Sequence, residues 1–397
     1  MKPKTSKIKR LLRQNNIDGA IVNSPENFTY ITAYSSHQHT VSRQPQFATV
    51  VLDNKEDTKP IAIGMDFETE AFCNYMQCDV KKYSTWVGGK TFEEVLANQE
   101  VPSTKKFVTP LEVLVETVKG FGLIDKTVGL ELDYLPVKYY NSLKEEFPEV
   151  NFVNISGLFI EARAVKEDDE IEYFRQLTKV ADEALNYTSK FVKVGVTERE
   201  LFDIYCNKVM ESNICLPSGW SSFCAGENSG RLCRSTNRKI KDGDVVKFDG
   251  GVNGDTNFYT TDFSRSWIVG DAHPTLVHLK ERLCEAQKLM IEAVRPGLTF
   301  DELFKIGFNH VKAKFKFYER GHLGHSISMG PQTADAPFIS LSEKRPMEEG
   351  MIFCIETPCY ISGFGGFNIE DMILVTKDGC EVLTPLTPHW LDTNNCR

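Results

Sequence analysis

The chain contains no CxxC pair, no GxGxxG following a strand-like segment, no run of eighteen apolar residues and no excess of basic charge. Each absence removes a class of protein. The 11 cysteines are odd in number and scattered. They spell neither a zinc-finger spacing nor a disulfide framework, and read as reduced thiols of a cytoplasmic protein. Without a long apolar run there is no expected transmembrane helix. Lys and Arg total 46 against 55 Asp and Glu, a net charge of −9. Nucleic acid and anionic membrane are therefore not expected partners. The basic stretch Met1–Arg13 continues into an amphipathic pattern instead of an apolar core, so it is expected to start a domain and not a signal peptide. The missing GxGxxG leaves a dinucleotide site unsupported.

What is present is an ordinary globular composition, 41% hydrophobic and 25% charged over 397 residues, long enough for two or three domains. The first part alternates helical and strand patterns. Helices are expected at 7–16, 91–97, 111–118 and 137–147, and strands at 19–23, 47–52, 60–63, 127–130 and 150–153. This is an α/β domain with no chemistry of its own. A long charged helix then opens near Ile160, and the domain boundary is placed before it, giving domains at 1–157 and 158–397. Asp168, Asp169 and Glu170 fall in its first turns, where the helix dipole favours acids, and read as a solvated face.

The second part carries an internal repeat. VGVTERELFDI (194–204) matches PGLTFDELFKI (296–306), each a Thr N-cap followed by an acid and an apolar-periodic helix. Downstream, IKDGDVVKFDGG (240–251) matches MEEGMIFCIETP (347–358). Each ends in a turn glycine, a strand and a carboxylate at the same strand position, Asp249 and Glu356. Asp262 and Glu370 follow at nearly equal distances, where hairpin partners would face them across a ladder. The repeat predicts two pseudo-symmetric α+β halves around a curved antiparallel sheet, with helices outside and four carboxylates meeting at the centre.

Asp249, Asp262, Glu356 and Glu370 all sit among strand hydrophobes. A carboxylate in such surroundings faces solvent or something positive, because burying an unpaired charge is prohibitive. Four in repeat register favour a metal site. His325, in the Gly-rich segment RGHLGHSISMG between the two halves, is a candidate fifth ligand. Four carboxylates and an imidazole suit two divalent ions, with Mn, Co, Fe and Zn all compatible.

At these residues the sequence resembles the pita-bread metallopeptidase clan, which includes Xaa-Pro dipeptidase, aminopeptidase P and methionine aminopeptidase, together with creatinase and ectoine hydrolase. The resemblance extends over essentially the whole chain. SPENFTYITAY (24–34) is similar to a segment of the clan's creatinase-like N-terminal domain, matching residues 1 to about 157. The two aspartates of the clan match Asp249 (FDGG) and Asp262 (TTDFSRS), the histidine matches His325 (LGHSIS), and the glutamates match Glu356 (IETP) and Glu370 (IEDM). The resemblance implies that Asp262 and Glu370 bridge two ions, that Asp249 chelates one and that His325 binds the other. It also implies that Glu356 takes a proton from the attacking water. The implied activity is hydrolysis of a C–N bond, with an Xaa-Pro dipeptide as default substrate and a homodimer as the expected assembly. A non-peptide amide or cyclic amidine, a lyase acting on dimethylsulfoniopropionate, and a non-catalytic binding protein are the alternatives.

Three departures from the clan's pattern bear on the substrate. Asp262 follows Asp249 by 13 positions, two more than usual, which a Gly/Asn/Asp hairpin absorbs without changing the face of the strand. The usual histidine before the first aspartate strand is missing from GENSGRLCRSTNRKI (226–240), where Arg231, Cys233 and Arg234 stand. A second histidine seven residues beyond the ligand histidine is replaced by Gln332, with Asp335 nearby. The expectation is an intact metal set with a rebuilt pocket, in which Gln332 or Arg234 covers for a missing histidine. Arg231 and Arg234 would receive an anionic substrate group, since guanidinium binds carboxylate in a bidentate fashion. His37 and His39 are read as an exposed loop, or as imidazoles lent to a partner's active site.

Overall fold

The computed structural model describes residues 2–76, 78–85, 90, 92–98, 108–330 and 334–390. The chain divides into two compact units, Met1–Ala162 and Arg163–Arg397. The division falls inside the helix Ser156–Ala164, which spans the boundary placed at residue 157.

The first unit is built on six strands, β1 (Gly19–Val22), β2 (Thr49–Asp53), β3 (Ile61–Met65), β4 (Asp79–Tyr83), β5 (Thr127–Leu130) and β6 (Asn151–Asn154). They run in the order β4-β3-β2-β1-β5-β6. β1 is paired antiparallel with β2 and parallel with β5, so it is sealed on both edges, and all of its residues are buried. Such a strand must be continuously apolar, as GAIV is. The helix Pro110–Gly120 starts with a complete capping box between Thr109 and Glu112 and packs Val113, Leu114 and Val118 into the core. His39 is the exception to the sequence expectation. It is 1% exposed and meets the Phe28 ring edge-on at 6.1 Å, so it is an interior residue and not part of an exposed loop. His37 is exposed, at the start of a six-residue helix.

The long charged helix predicted from Ile160 is two helices, Ser156–Ala164 and Asp168–Ser189. Backbone pairing breaks the helix between them: Val165 bridges to Met351 and the Lys166 amide donates to the Gly350 carbonyl. Glu167 then caps the second helix through a reciprocal pair with Glu170. Glu170 is 1% exposed and accepts a hydrogen bond from Tyr259, which corrects the expectation of a solvated acidic face.

The second unit contains β7 (Cys215–Pro217), β8 (Ser222–Ala225), β9 (Val245–Gly250), β10 (Val252–Gly254), β11 (Phe263–Ile268) and β12 (Gly324–Ser326). They are followed by β13 (Asp335–Phe338), β14 (Ile352–Glu356), β15 (Cys359–Ile361), β16 (Gly365–Phe367), β17 (Glu370–Val375) and β18 (Cys380–Val382). An antiparallel sheet runs β13-β12-β14-β17-β11-β9-β8, with β18 added to β17. The predicted repeat is visible in it. Helices Glu198–Met210 and Phe300–Lys314 both begin in capping boxes, Thr197 with Glu200 and Thr299 with Glu302. Gly243 and Gly350 precede β9 and β14 at φ +81° and +86°, a turn conformation that favours glycine. Phe353, Ile355, Ile373 and Val375 point to the helices Pro274–Ala293 and Phe300–Lys314 and form the core with Leu283, Met290, Leu303 and Phe304. The alternate residues of the same strands therefore face the opposite side, and the acids are among them.

Candidate metal centre

β9, fully buried between β8 and β11, sorts its side chains by the period of two. Phe248 packs against Tyr205, Phe223 and Phe263 at ring distances of 4.8, 5.0 and 5.5 Å. Lys247 and Asp249 take the other face. Gly250 follows at φ +142°, and a Cβ there would lie 2.3 Å from Ser221 Cα, so only glycine lets the strand end in this position.

All five candidate ligands are buried: Asp249 at 6%, Asp262 at 3%, His325 at 5%, Glu356 at 7% and Glu370 at 2% exposure. Asp249, Asp262 and Glu370 bring one ligand atom each to within 4.8 Å of one another. His325, Cys354 and Glu370 do the same, so the two sets share Glu370. His325 Nε2 lies 3.9 Å from Asp262 and 3.8 Å from Glu370. Its Nδ1 is 3.1 Å from the Ser326 carbonyl, which can only accept, so Nδ1 carries the hydrogen and the Nε2 lone pair is directed at the carboxylates.

The second predicted cross-strand pair is as expected, since Glu356 and Glu370 are direct register partners. The first is not. Asp249 faces Ser264, and Asp262 lies two residues earlier, diagonally across the ladder, just before β11 begins. The reason is the longer connection 251–261, whose β10 leaves to pair with β7. A shift of two preserves the face, so the carboxylate still reaches the cluster.

Glu356 departs from the symmetric picture. Its Oε1 sits 3.1 Å from His322 Nδ1 and 3.5 Å from the Arg320 guanidinium, and it belongs to neither of the close-packed sets. Burial pushes its pKa up, but His322, His325 and Arg320 together outweigh that and hold it below the ordinary glutamate value. Glu370 moves the other way. Burial first, then Asp262, Glu356 and Asp249, raise it well above its usual range. Burial also raises Asp249, with Lys247 opposing it from 3.4 Å. Burial lowers His325 and keeps it neutral. Glu370 Oε1 is buried with no hydrogen-bond partner among the described residues, while Asn368 donates to Oε2 at 3.0 Å.

Buried, mutually repelling carboxylates with an oxygen left unpaired and a neutral imidazole aimed among them are the donor set of a divalent metal. The residues present fit such an ion. Sequence reasoning missed four further groups, Lys247, Arg320, His322 and Cys354. Lys247 and Cys354 each stand two residues before a predicted acid, a strand-period signal that could have found them. The signal for His322 is its place in RGHLGHS, three residues before His325.

Beside Asp249 opens a cavity of about 250 Å³ lined by Trp220, Arg231, Arg234, Cys233 and Lys247 among others. The loop carrying Arg231 and Arg234 is tied down by buried Glu198. This carboxylate accepts from the Ala225 amide (2.7 Å), Asn228 Nδ2 (3.0 Å) and the Thr236 amide (2.8 Å). Gln332 lies outside the described residues. Asp335 accepts a short hydrogen bond from Ser328.

Residues 172–377 match metallopeptidase family M24, and residues 4–165 match the creatinase/prolidase N-terminal domain. The chain belongs to metallopeptidase family M24. It is accordingly a metal-dependent hydrolase with the pita-bread fold. Among its relatives is an Xaa-Pro dipeptidase of Lactobacillus helveticus, 29% identical over 382 residues that cover 95% of each chain. An uncharacterized peptidase of Staphylococcus haemolyticus is 26% identical over 383 residues, 96% of this chain and 98% of its own. The fold is shared with a prolidase from Thermococcus sibiricus at a TM-score of 0.81 and 21% identity, covering 98% of this chain and 100% of the other. It is also shared with an Xaa-Pro dipeptidase from Bacillus anthracis at 0.78 and 22%, covering 96% and 97%.

Proposed function

We propose that the protein is an Xaa-Pro dipeptidase in which Asp249, Asp262, His325, Glu356 and Glu370 hold two divalent ions, drawn from Mn, Co, Fe and Zn. The observation that carries this reading is the convergence of these buried donors on one face of the sheet. The likeness to the L. helveticus Xaa-Pro dipeptidase over almost the full length of both chains supports the substrate class.

When bound, the ions supply Lewis-acid chemistry, lowering the pKa of a water nucleophile and polarising the scissile carbonyl. Glu356, kept ionised by His322 and Arg320, accepts the proton of the attacking water and returns it to the departing proline nitrogen. His325 orients as a neutral imidazole through its bond to Ser326. Arg231 and Arg234 at the cavity mouth receive the free carboxylate of the dipeptide, and Trp220 and Leu232 supply apolar contact. In the sequence, Gln332 stands seven residues after His325, where the clan usually has its second histidine. The basic cavity, the absence of a CxxC pair and the scattered free thiols fit a small anionic substrate in the cytoplasm.

Purified protein supplied with Mn²⁺, Co²⁺, Fe²⁺ or Zn²⁺ is expected to release free proline from Xaa-Pro dipeptides and to stop after chelation. Silence on every dipeptide by protein that holds metal would sink the peptide reading.

A further inference from the structure

Two cysteine sulfurs meet at the wall of the cavity beside Asp249. Cys224, on β8, is 1% exposed, while half-buried Cys233 lines the cavity between Leu232 and Arg234. Their Sγ atoms are 3.6 Å apart, and both are free thiols. Cys224 Sγ also lies 3.3 Å from the Cys233 carbonyl, and Cys233 Sγ lies 3.7 Å from the Asn228 carbonyl. The contact is held at both ends. Buried Glu198 binds the amide of Ala225, which follows Cys224, and the amide of Thr236, a little beyond Cys233. Across the ladder Cys224 faces Lys247, which donates to the Arg231 carbonyl at 3.3 Å. The two sulfurs therefore connect the strand beside β9 with the segment that carries Arg231 and Arg234.

We propose that Cys224 and Cys233 form a reversible disulfide that sets the position of the segment carrying Arg231 and Arg234. The oxidant is a small-molecule disulfide. Cys233, open to the cavity, meets it first: its sulfur attacks one sulfur of the oxidant, a mixed disulfide forms and one small thiol leaves. The Cys224 sulfur then attacks the Cys233 sulfur, the protein disulfide forms and the second small thiol leaves. Two protein thiols are oxidised, the small disulfide is reduced, and both protons pass to the thiols released. Burial first, then Cys233, pushes the Cys224 thiol up to about 12, while Lys247 opposes both, so Cys224 rests as a thiol behind Cys233. A disulfide is about 2.05 Å long, so the sulfurs close by roughly 1.5 Å. That movement draws Cys233 from the cavity wall toward β8, and Leu232 and Arg234 on either side move with it. The pairing is independent of the dipeptidase reading; only its effect on substrate binding rests on that reading.

Reduced full-length protein is incubated with oxidised glutathione, its remaining thiols are alkylated, and its peptides are mapped by mass spectrometry. Wild type is expected to yield a Cys224–Cys233 cross-link that dithiothreitol reverses. Cys224→Ala removes the second step and should accumulate a glutathione adduct at Cys233. If that variant does not fold, Cys233→Ser serves, and should leave Cys224 a free thiol because burial shields it. Oxidised wild type, desalted and supplied with Mn²⁺, should show a KM for an Xaa-Pro dipeptide about tenfold above that of the reduced protein, the worth of one hydrogen bond to a charged group. Cys233→Ser should give the same KM before and after the oxidant. Two alkylated cysteines in oxidant-treated wild type, or a glutathione adduct that persists there at Cys233, overturns the proposal. So does a cross-link that leaves KM unchanged. If the reduced protein cleaves no dipeptide, the dipeptidase reading falls by itself. The rate at which phenylglyoxal labels Arg234 then decides the proposal: a change on oxidation supports it, and an unchanged rate overturns it.

Discussion

Glu356 and Glu370 stand directly opposite each other on neighbouring antiparallel strands, both almost wholly removed from water. Like charges in this relationship destabilise a ladder. The sheet separates them: Glu356 turns to His322 and Arg320, while Glu370 is left among Asp262, Asp249 and His325. One carboxylate is thereby held in its ionised form, and the other is left among like charges.

Metal binding should therefore stabilise the fold. Chelation is expected to lower the melting temperature, and added Mn²⁺ or Co²⁺ to raise it in a concentration-dependent way. At a hundredfold excess over Kd, mass action contributes about 2.7 kcal/mol. A melting curve indifferent to both treatments would contradict this.

Glu356→Gln removes the base while preserving shape. Its kcat on an Xaa-Pro dipeptide should fall by about 10²–10⁴, with the melting temperature of the metal-loaded protein little changed. Wild-type turnover in this variant would rule out the assigned role.

Arg234→Ala should act on binding, because Arg234 lines the cavity without touching the buried donors. KM for a dipeptide with a free carboxylate is expected to rise about tenfold or more, the usual worth of a hydrogen bond to a charged group. KM for the amidated dipeptide should not move. Equal effects on both substrates would remove carboxylate recognition from this residue.

Arg265 ties the two halves together. Its guanidinium donates to the carbonyls of Ser264 and Glu370, which face each other across β11 and β17, and forms a 2.7 Å ion pair with Asp371. Arg265→Met leaves the Asp371 charge buried and should cost about 3–5 kcal/mol. Arg265→Met combined with Asp371→Asn should recover part of the loss in denaturant titrations. A single variant as stable as wild type would show that the pair is dispensable.

His39 predicts a pH dependence. Burial lowers its pKa from 6.5 to about 4. Between these values the unfolded chain binds a proton that the folded chain does not, so stability rises with pH. The contribution is complete above pH 6.5 and is lost as pH falls toward 4, by on the order of 3 kcal/mol. His39→Phe, which retains an aromatic ring against Phe28, should flatten stability over this window. An unchanged slope would place the titration elsewhere.

Much of this was legible in the amino-acid order because it rests on local chemistry. Capping boxes at Thr197 and Thr299 announce their helices, turn glycines precede β9 and β14, and apolar strands carrying an acid repeat at matched spacing. The α/β and pseudo-symmetric α+β organisation follows from those signals, and so do the residue types of the metal set. The single helix expected after Ile160 failed because its break is made by backbone bonds to Gly350 and Met351, distant in sequence.

The sequence by itself determined which side chains could serve: four carboxylates, an imidazole and two arginines, at periods that place them on particular faces. Only the tertiary structure decided which of them meet. It set Asp249 against Ser264 instead of Asp262, buried His39 and Glu170, and turned Glu356 toward His322. It also brought Lys247 to Asp249 and Cys354 to His325 and Glu370. Register and burial are sums over contacts between segments far apart in the chain, and the charge balance of a buried site depends on every group those contacts bring within a few ångströms.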